Sequence, residues 1–336
     1  MKRSDLIKLA PYLCDVSQIA GIKDYCFNSG PEKGIQALEI KNGKSLALTV
    51  VPDRGLDIPY LSYKGYNISF ISKTGLRPSA FFSENGSSGF LRQFNGGFLT
   101  TCGLSHAGPA TEYHGLHGVI SNTPAHLVQF YEDDSADEIL LCVRGQIKEA
   151  EVFREHIVNR RQITVRTETD QLIIEDIIEN RGFTDTPVKV LYHFNFGYPM
   201  LSEVCRLYFN SNNIVPRDEI AKAGIENYNM IDKPTIGYSE QCFFHTNSPE
   251  NAYAMIHNPV IGLAVVINYK SSQCPLLCEW KSMVAGDYAL GLEPASPGIF
   301  TEPEKTRVLS GGESIKYRFV IDFISDESVI NHYIRI

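Results

Sequence analysis

From about residue 20 onward, apolar side chains recur at every second position rather than every third or fourth. That period limits the chain to strands with one buried face. Ile315, Tyr317, Phe319, Ile321 and Phe323 alternate with Lys316, Arg318 and Asp322. Ile163 and Val165 alternate with Thr164 and Arg166, and Leu172 to Ile178 follows a turn at Asp170-Gln171. Shorter apolar runs, Leu46 to Val51, Ile139 to Val143 and Leu263 to Ile267, are bounded by turn formers. Turns are expected at Asn42-Gly43, Lys64-Gly65, Asn85-Gly86, Gly96-Gly97 and Gly311-Gly312. Helix signals are few: one short helix capped by Ser4 and ending near Pro11, and another over 217–223. Many short strands with almost no crossover helices predict an all-β protein, a large antiparallel sandwich. No linker, repeat or charge block divides the 336 residues, so one domain spanning 1–336 is expected, with residues 1–20 as a helical extension. Asp133-Asp134-Ser135-Ala136-Asp137-Glu138 reads as a solvated hairpin loop.

Composition narrows function by exclusion. Lys and Arg total 31 against 39 Asp and Glu, a net charge of −8, and no basic stripe suits a phosphate backbone. No apolar run reaches the roughly 18 residues of a membrane span. The first residues, Met1-Lys2-Arg3-Ser4-Asp5-Leu6-Ile7-Lys8, are broken by Asp5 and Lys8, which favours an amphipathic helix over a signal peptide. Eight scattered cysteines lack a zinc spacing and read as reduced thiols, so a cytoplasmic protein is expected. Aromatics make up 11% of the chain, and such residues favour strands and line ligand clefts.

Four segments carry residues suited to chemistry. Arg92 lies among Phe90, Phe94 and Phe98, followed by Gly96-Gly97, where a planar guanidinium could clamp hydroxyls or a negative oxygen. Glu112-Tyr113-His114-Gly115-Leu116-His117 could supply a metal-binding hairpin, although positions i and i+3 of a strand face opposite sides. One functional histidine there is the simpler reading. His193, in Tyr192-His193-Phe194-Asn195-Phe196, suits general acid or base work or a satisfied core position equally. Glu293 ends the apolar run Ala289-Leu290-Gly291-Leu292, where a carboxylate is costly unless paired or used. Trp280, the only tryptophan, could stack on a sugar ring. No phosphate loop, dinucleotide fingerprint or serine elbow is present.

Taken in order, these segments resemble the aldose 1-epimerase (galactose mutarotase-like) superfamily, in particular its bacterial branch of unassigned substrate. Val51-Pro52-Asp53-Arg54-Gly55-Leu56-Asp57-Ile58 and Leu309-Ser310-Gly311-Gly312-Glu313 add to the likeness, the latter with Gly311 where the family has Pro. The resemblance covers about residues 20 to 325 and implies a supersandwich with an open cleft for a monosaccharide or derivative. It implies Glu293 as the base and His193 as the acid of ring opening, without metal or organic cofactor. It further implies that His117, Arg92 and Asn195 contact the sugar. Glu240 is the nearest candidate for the family's substrate-binding aspartate. Asp53, Arg54 and Asp57 depart from the parent enzymes, which points to Arg54 as a contact for a different substrate or to a charged structural turn. Two other readings stand beside this one: a metal-assisted sugar isomerase using Glu112, His114 and His117, and a sugar-binding protein without turnover. The sugar's identity and the oligomeric state, a homodimer among the options, are not fixed by the sequence.

Overall fold

The computed structural model describes residues 1–135 and 137–335. Two antiparallel sheets, of 12 and 8 strands, are packed face to face. The alternation at the C-terminal end forms the strand Ser314–Ile324, with Tyr317, Phe319, Ile321 and Phe323 buried. Its partner Gln171–Asn180 pairs in turn with His156–Arg166, and that with Leu140–Ala150, so the 8-stranded sheet grows by hairpins. The acidic cluster lies in the hairpin joining His126–Asp133 to Leu140–Ala150; its Ala136 is outside the described residues. Lys64 and Gly65 both take left-handed φ (51° and 80°), as a two-residue hairpin turn requires.

Five strands at the centre of the 12-stranded sheet matter for function: β1 (Leu99–Leu104), β2 (Thr186–Phe196), β3 (Gln241–Thr246), β4 (Leu276–Val284) and β5 (Asp287–Ala295). Their order in space is β1-β2-β5-β4-β3. One face of β2 presents Tyr192, Phe194 and Phe196 to a core shared with Ile163, Val165, Leu172 and Ile174 of the other sheet. The opposite face, carrying Leu191, Cys102, Cys242, Cys278 and Phe244, packs against Phe90, Phe94 and Ile299 from the loops above it. The central strands are therefore buried on both sides.

Helices are more numerous than expected. The N-terminal helix is present as Arg3–Leu9, but Lys2 rather than Ser4 occupies its N-cap. The helix near residue 217 is Glu219–Ala223, capped by the Asp218 side chain, which accepts from Ala221 N. Asn85-Gly86 opens the helix Gly86–Leu91 rather than a hairpin, and Glu327–Arg335 closes the chain as an amphipathic helix on the 8-stranded sheet. No described helix is long and apolar enough to cross a membrane.

Candidate active site

Sheet register assembles the site. Alternate residues of a strand share a face, and paired residues on neighbouring strands stand side by side. His193 pairs with Thr100 of β1, and the β2–β5 register (Leu191 with Ala295, Phe194 with Leu292) sets it opposite Glu293. Glu293 pairs with Cys278, and Cys278 with Phe244. One row over, Asn195 faces Gly291, Gly291 faces Trp280, and Trp280 faces Cys242. Residues 193, 195, 280 and 293, distant in the chain, thus occupy two adjacent rows on one surface.

At the centre, His193 Nε2 lies 3.1 Å from Glu293 Oε1. Both side chains are buried, at 5% and 3% exposure. Burial pushes the Glu293 carboxyl up to about 8, reinforced by Glu240 and opposed by the Cys278 thiol and Arg217. Burial also pushes the His193 imidazole down to about 3, and nearby His117 adds to the fall. Glu293 Oε1, His193 Nδ1, His117 Nδ1 and Asn195 Oδ1 are all buried without a hydrogen-bond partner. Orphaned polar atoms are costly in a folded interior, and a group of four in one place is what a polar ligand would satisfy.

His117 arrives from the loop before the short helical turn Ile120–Asn122 with φ of 63°, a left-handed conformation that a non-glycine residue rarely holds. The backbone is pinned there, with His117 N donating to Gly108 O (2.9 Å) and Gly103 N donating to His117 O (3.0 Å). Its ring stands edge-on to Phe90 (centroids 4.9 Å apart) and to His193 (6.0 Å). Burial, with His106 nearby, lowers its pKa to about 4, so it is neutral at physiological pH. Phe94 continues this aromatic wall, 5.0 Å from Phe90 and 5.3 Å from His193, and Trp280 lies 5.5 Å from His193.

The rim contains a residue that the sequence reading did not single out. Arg217 donates to Cys242 Sγ (2.9 Å) and forms an ion pair with Glu240 Oε1 (3.0 Å). Glu240 Oε2 accepts from Trp280 Nε1 (2.8 Å). Glu240 is therefore the tether that orients both the tryptophan and the arginine. Arg217 has no local sequence signature; it reaches the site because the edge strand Asn213–Pro216 pairs with β3. Arg92, at the C-cap of Gly86–Leu91, is exposed and has no side-chain hydrogen bond or ion pair among the described residues.

Two sequence expectations change. Arg54 is buried, and its guanidinium donates to three backbone carbonyls: Ser121 O (2.6 Å), Arg77 O (2.8 Å) and Gln93 O (3.0 Å). It anchors the loop after Arg92 instead of contacting a sugar, which is the structural-turn alternative. The Glu112-to-His117 segment does not converge either. His114 stacks on His106 (centroids 5.0 Å, 8° between planes) while His117 points into the site. Among the described residues, no group of three or more His, Cys, Asp and Glu side chains is placed to hold a metal ion.

Volume alone would not locate this site. Grooves of about 430 and 640 Å³ lie on the outer face of the 8-stranded sheet, lined by Arg144, Arg160, Lys316 and Arg318 with glutamines between them. Their charges are mostly paired, as in Arg160 with Glu179 (2.8 Å) and Lys316 with Glu175 (2.6 Å), and read as a solvated sheet face. A Ser211–His245–Glu279 chain, 2.9 Å at each link, resembles a catalytic relay. His245 and Glu279 are wholly buried on the inner faces of β3 and β4, however, so this is a core network closed off from any cleft, with Glu279 Oε1 left without a partner.

The fold is that of the galactose mutarotase-like proteins, and solved structures show the likeness across most of the chain. A Klebsiella pneumoniae protein with the provisional assignment aldose 1-epimerase matches 94% of this chain and 86% of its own, with a TM-score of 0.86 and 23% identity. A galactose mutarotase-like protein of Clostridium acetobutylicum matches 91% of this chain and 99% of its own (TM-score 0.66, 16% identity). A galactose 1-epimerase of Lactobacillus acidophilus also matches 91% and 99% (0.60, 14%). At these identities the likeness establishes the fold alone. Residues 32–309 match the family described as a domain of unknown function, DUF4432, and the chain belongs to that family. No curated protein matches the chain.

Proposed function

We propose that the protein is an aldose 1-epimerase-type isomerase that interconverts the anomers of a monosaccharide or sugar derivative. The observation that carries this reading is the buried His193–Glu293 pair, with its unsatisfied polar atoms, on a sheet face walled by aromatics. Anomer exchange asks for one proton to leave the anomeric hydroxyl and one to reach the ring oxygen. These two oxygens are bonded to the same carbon, so an acid and a base standing side by side match them. Glu293 accepts the anomeric proton, and His193 delivers one to the ring oxygen. The bond from the anomeric carbon to the ring oxygen breaks, giving an open-chain aldehyde. Rotation of the aldehyde and reversal of the two transfers close the other anomer.

Burial holds the pair's proton on Glu293. Sugar hydroxyls donating to the carboxylate replace the solvation it lost, favouring the ionised pair that the reaction uses. His117 and Arg92 contact the sugar and stabilise charge growing on its oxygens. Trp280, held by Glu240, offers a flat face to the ring. The scheme requires no metal or organic cofactor.

The test is exchange NMR across a panel of aldoses, sugar phosphates and pentoses, with spontaneous mutarotation subtracted. Anomer exchange by the wild type, reduced at least about 10²-fold in Glu293→Gln while sugar binding persists, supports the reading. Sugar binding with no exchange of any bound sugar would make the protein a binding module instead. Exchange abolished by a chelator, together with stoichiometric bound metal, would overturn the cofactor-free scheme.

A further inference from the structure

Arg54 is 3% exposed, and its three guanidinium nitrogens each serve a different carbonyl: Nε to Ser121 O (2.6 Å), Nη1 to Arg77 O (2.8 Å) and Nη2 to Gln93 O (3.0 Å). Burial lowers its pKa to about 10, opposed by Asp57, so it stays charged at neutral pH. Asp57 itself is engaged elsewhere, by Arg161 at 3.0 Å and by Thr101 at 2.9 and 2.7 Å. Burying such a cation is costly, and three carbonyls satisfied by one rigid planar fork offset that cost.

The three carbonyls belong to three separate segments that converge on the catalytic pair. Gln93 precedes Phe94, whose ring lies 5.3 Å from His193. Ser121, in the turn Ile120–Asn122, follows His117 by four residues, and the His117 ring lies 6.0 Å from His193. Arg77 ends a segment that supports Phe94: Ser72 Oγ (2.6 Å) and Thr74 Oγ1 (2.9 Å) both donate to Phe94 O, and Ser72 N donates to Asn95 O (3.1 Å). The backbone around Arg54 docks on the His117 side as well. Gly55 N donates to Thr123 O (3.0 Å), Ala125 N donates to Pro52 O (2.9 Å), and a Cβ at Gly55 would stand 2.7 Å from Ile120 O. Arg161 of the other sheet donates to Gly55 O (3.1 Å), which ties this turn to the core. The left-handed φ of His117 persists only where surrounding contacts over-determine it, and these contacts do so.

His193 and Glu293 are set by strand register and do not depend on these loops. Resting on the epimerase reading, we propose that Arg54 is a positioning residue that locks the Phe94 and His117 loops to one another, fixing where both rings stand against His193 without touching the sugar. The sheet then supplies the acid–base pair, and the lock supplies the shape of the cleft around it. A change at Arg54 alters sugar binding and leaves the proton chemistry in place.

The test is Arg54→Lys, which keeps a positive charge but replaces the three-armed fork by a single ammonium. In protein labelled with 15N-histidine, with His117 assigned by its loss in His117→Gln, the His117 signals of the folded variant are expected to shift. KM is expected to rise at least about tenfold with a smaller fall in kcat, and the decline of kcat/KM near pH 8 to stay where it is. A folded Arg54→Lys with wild-type His117 signals, or with wild-type KM, overturns the proposal and leaves Arg54 a stability residue only. Should the variant not fold, hydrogen exchange of the wild type decides. The amides of Gly55, Ser72, Gln93 and Val119, bonded within the linked segments, are expected to open with one common free energy. Separate opening of the segments that carry Phe94 and His117 overturns the lock. Neither the spectrum nor the exchange needs a sugar, so a protein that exchanges no anomer refutes the epimerase reading while those two results still decide on the lock.

Discussion

Desolvation acts in opposite directions on the two members of the His193–Glu293 pair, since it disfavours a carboxylate and an imidazolium alike. Between about 3 and about 8, the pair therefore holds one exchangeable proton, located on Glu293. Such a pair titrates as a unit, and the reaction needs that one proton in either location. Enzymatic kcat/KM, net of the spontaneous rate, is accordingly expected to stay level across pH 5 to 7 and to fall as pH rises through about 8. A fall centred near 6.5, the ordinary histidine value, would contradict this assignment. Stability carries the same signature. Burial pushes the folded carboxyl up to about 8 from its ordinary value of 4.5, so the folded state binds more protons across that window. Its contribution is fully present below 4.5 and is lost as pH rises to 8. Glu293→Gln should therefore melt higher than the wild type at pH 8.5, by calorimetry, while its activity is lost.

Strands and loops divide the work of building the site. β2, β4 and β5 supply residues whose spacing the register fixes, and Gly291 shows how tight that spacing is. A Cβ at Gly291 would run into Glu293 Oε1 and lie 3.1 Å from His193 Cε1. Gly291→Ala is thus expected to displace the carboxylate and lower kcat by roughly 10²-fold, with the melting temperature little changed. Wild-type turnover in this variant would show that the present carboxylate position is not the working one. The strands were legible: Gln171–Asn180 and Ser314–Ile324 cover the patterned segments, and Leu46–Val51 is the short apolar run bounded by turn formers. The helices Gly86–Leu91 and Glu327–Arg335 were not. The first is six residues containing two glycines and two serines, which read locally as a turn. The second buries only Ile330, too little for an apolar stripe to stand out in the sequence.

At the scale of the molecule, one buried cluster ties the two sheets together directly behind the site. Arg161, from the 8-stranded sheet, forms a bidentate pair with Asp176 (2.8 and 2.7 Å) and reaches Asp57 of the other sheet at 3.0 Å. Tyr192, adjacent to His193 but on the opposite face, donates to Asp176 (2.7 Å). Thr101 donates to Asp57 through both its backbone N (2.9 Å) and its hydroxyl (2.7 Å). A buried ion cluster need not exceed a well-packed apolar one in stability, but removing one member strands the others. Arg161→Met should therefore cost about 3–5 kcal/mol in denaturant unfolding, far more than the loss of an exposed pair such as Lys8 with Asp5. A cost below about 1 kcal/mol would show that the cluster is not a clamp. Asp57 thus proves to be a cross-sheet contact, which accounts for the charged stretch near residue 54 without any substrate.

The sequence by itself determined the all-β class, because an alternation of period two can bury only one face of a strand. It also singled out Glu293, a carboxylate ending an apolar run where it is costly unless paired or used, and left His193 open between acid–base work and a satisfied core position. Only the tertiary structure decided which residues meet. Register sets His193 beside Glu293 and places Asn195 and Trp280 on either side of Gly291. Strand pairing brings Arg217 to Cys242. Packing turns Arg54 inward to three carbonyls and separates His114 from His117. Alternation is a property of neighbouring residues, whereas pairing depends on which distant strands share a sheet. No local pattern encodes that choice.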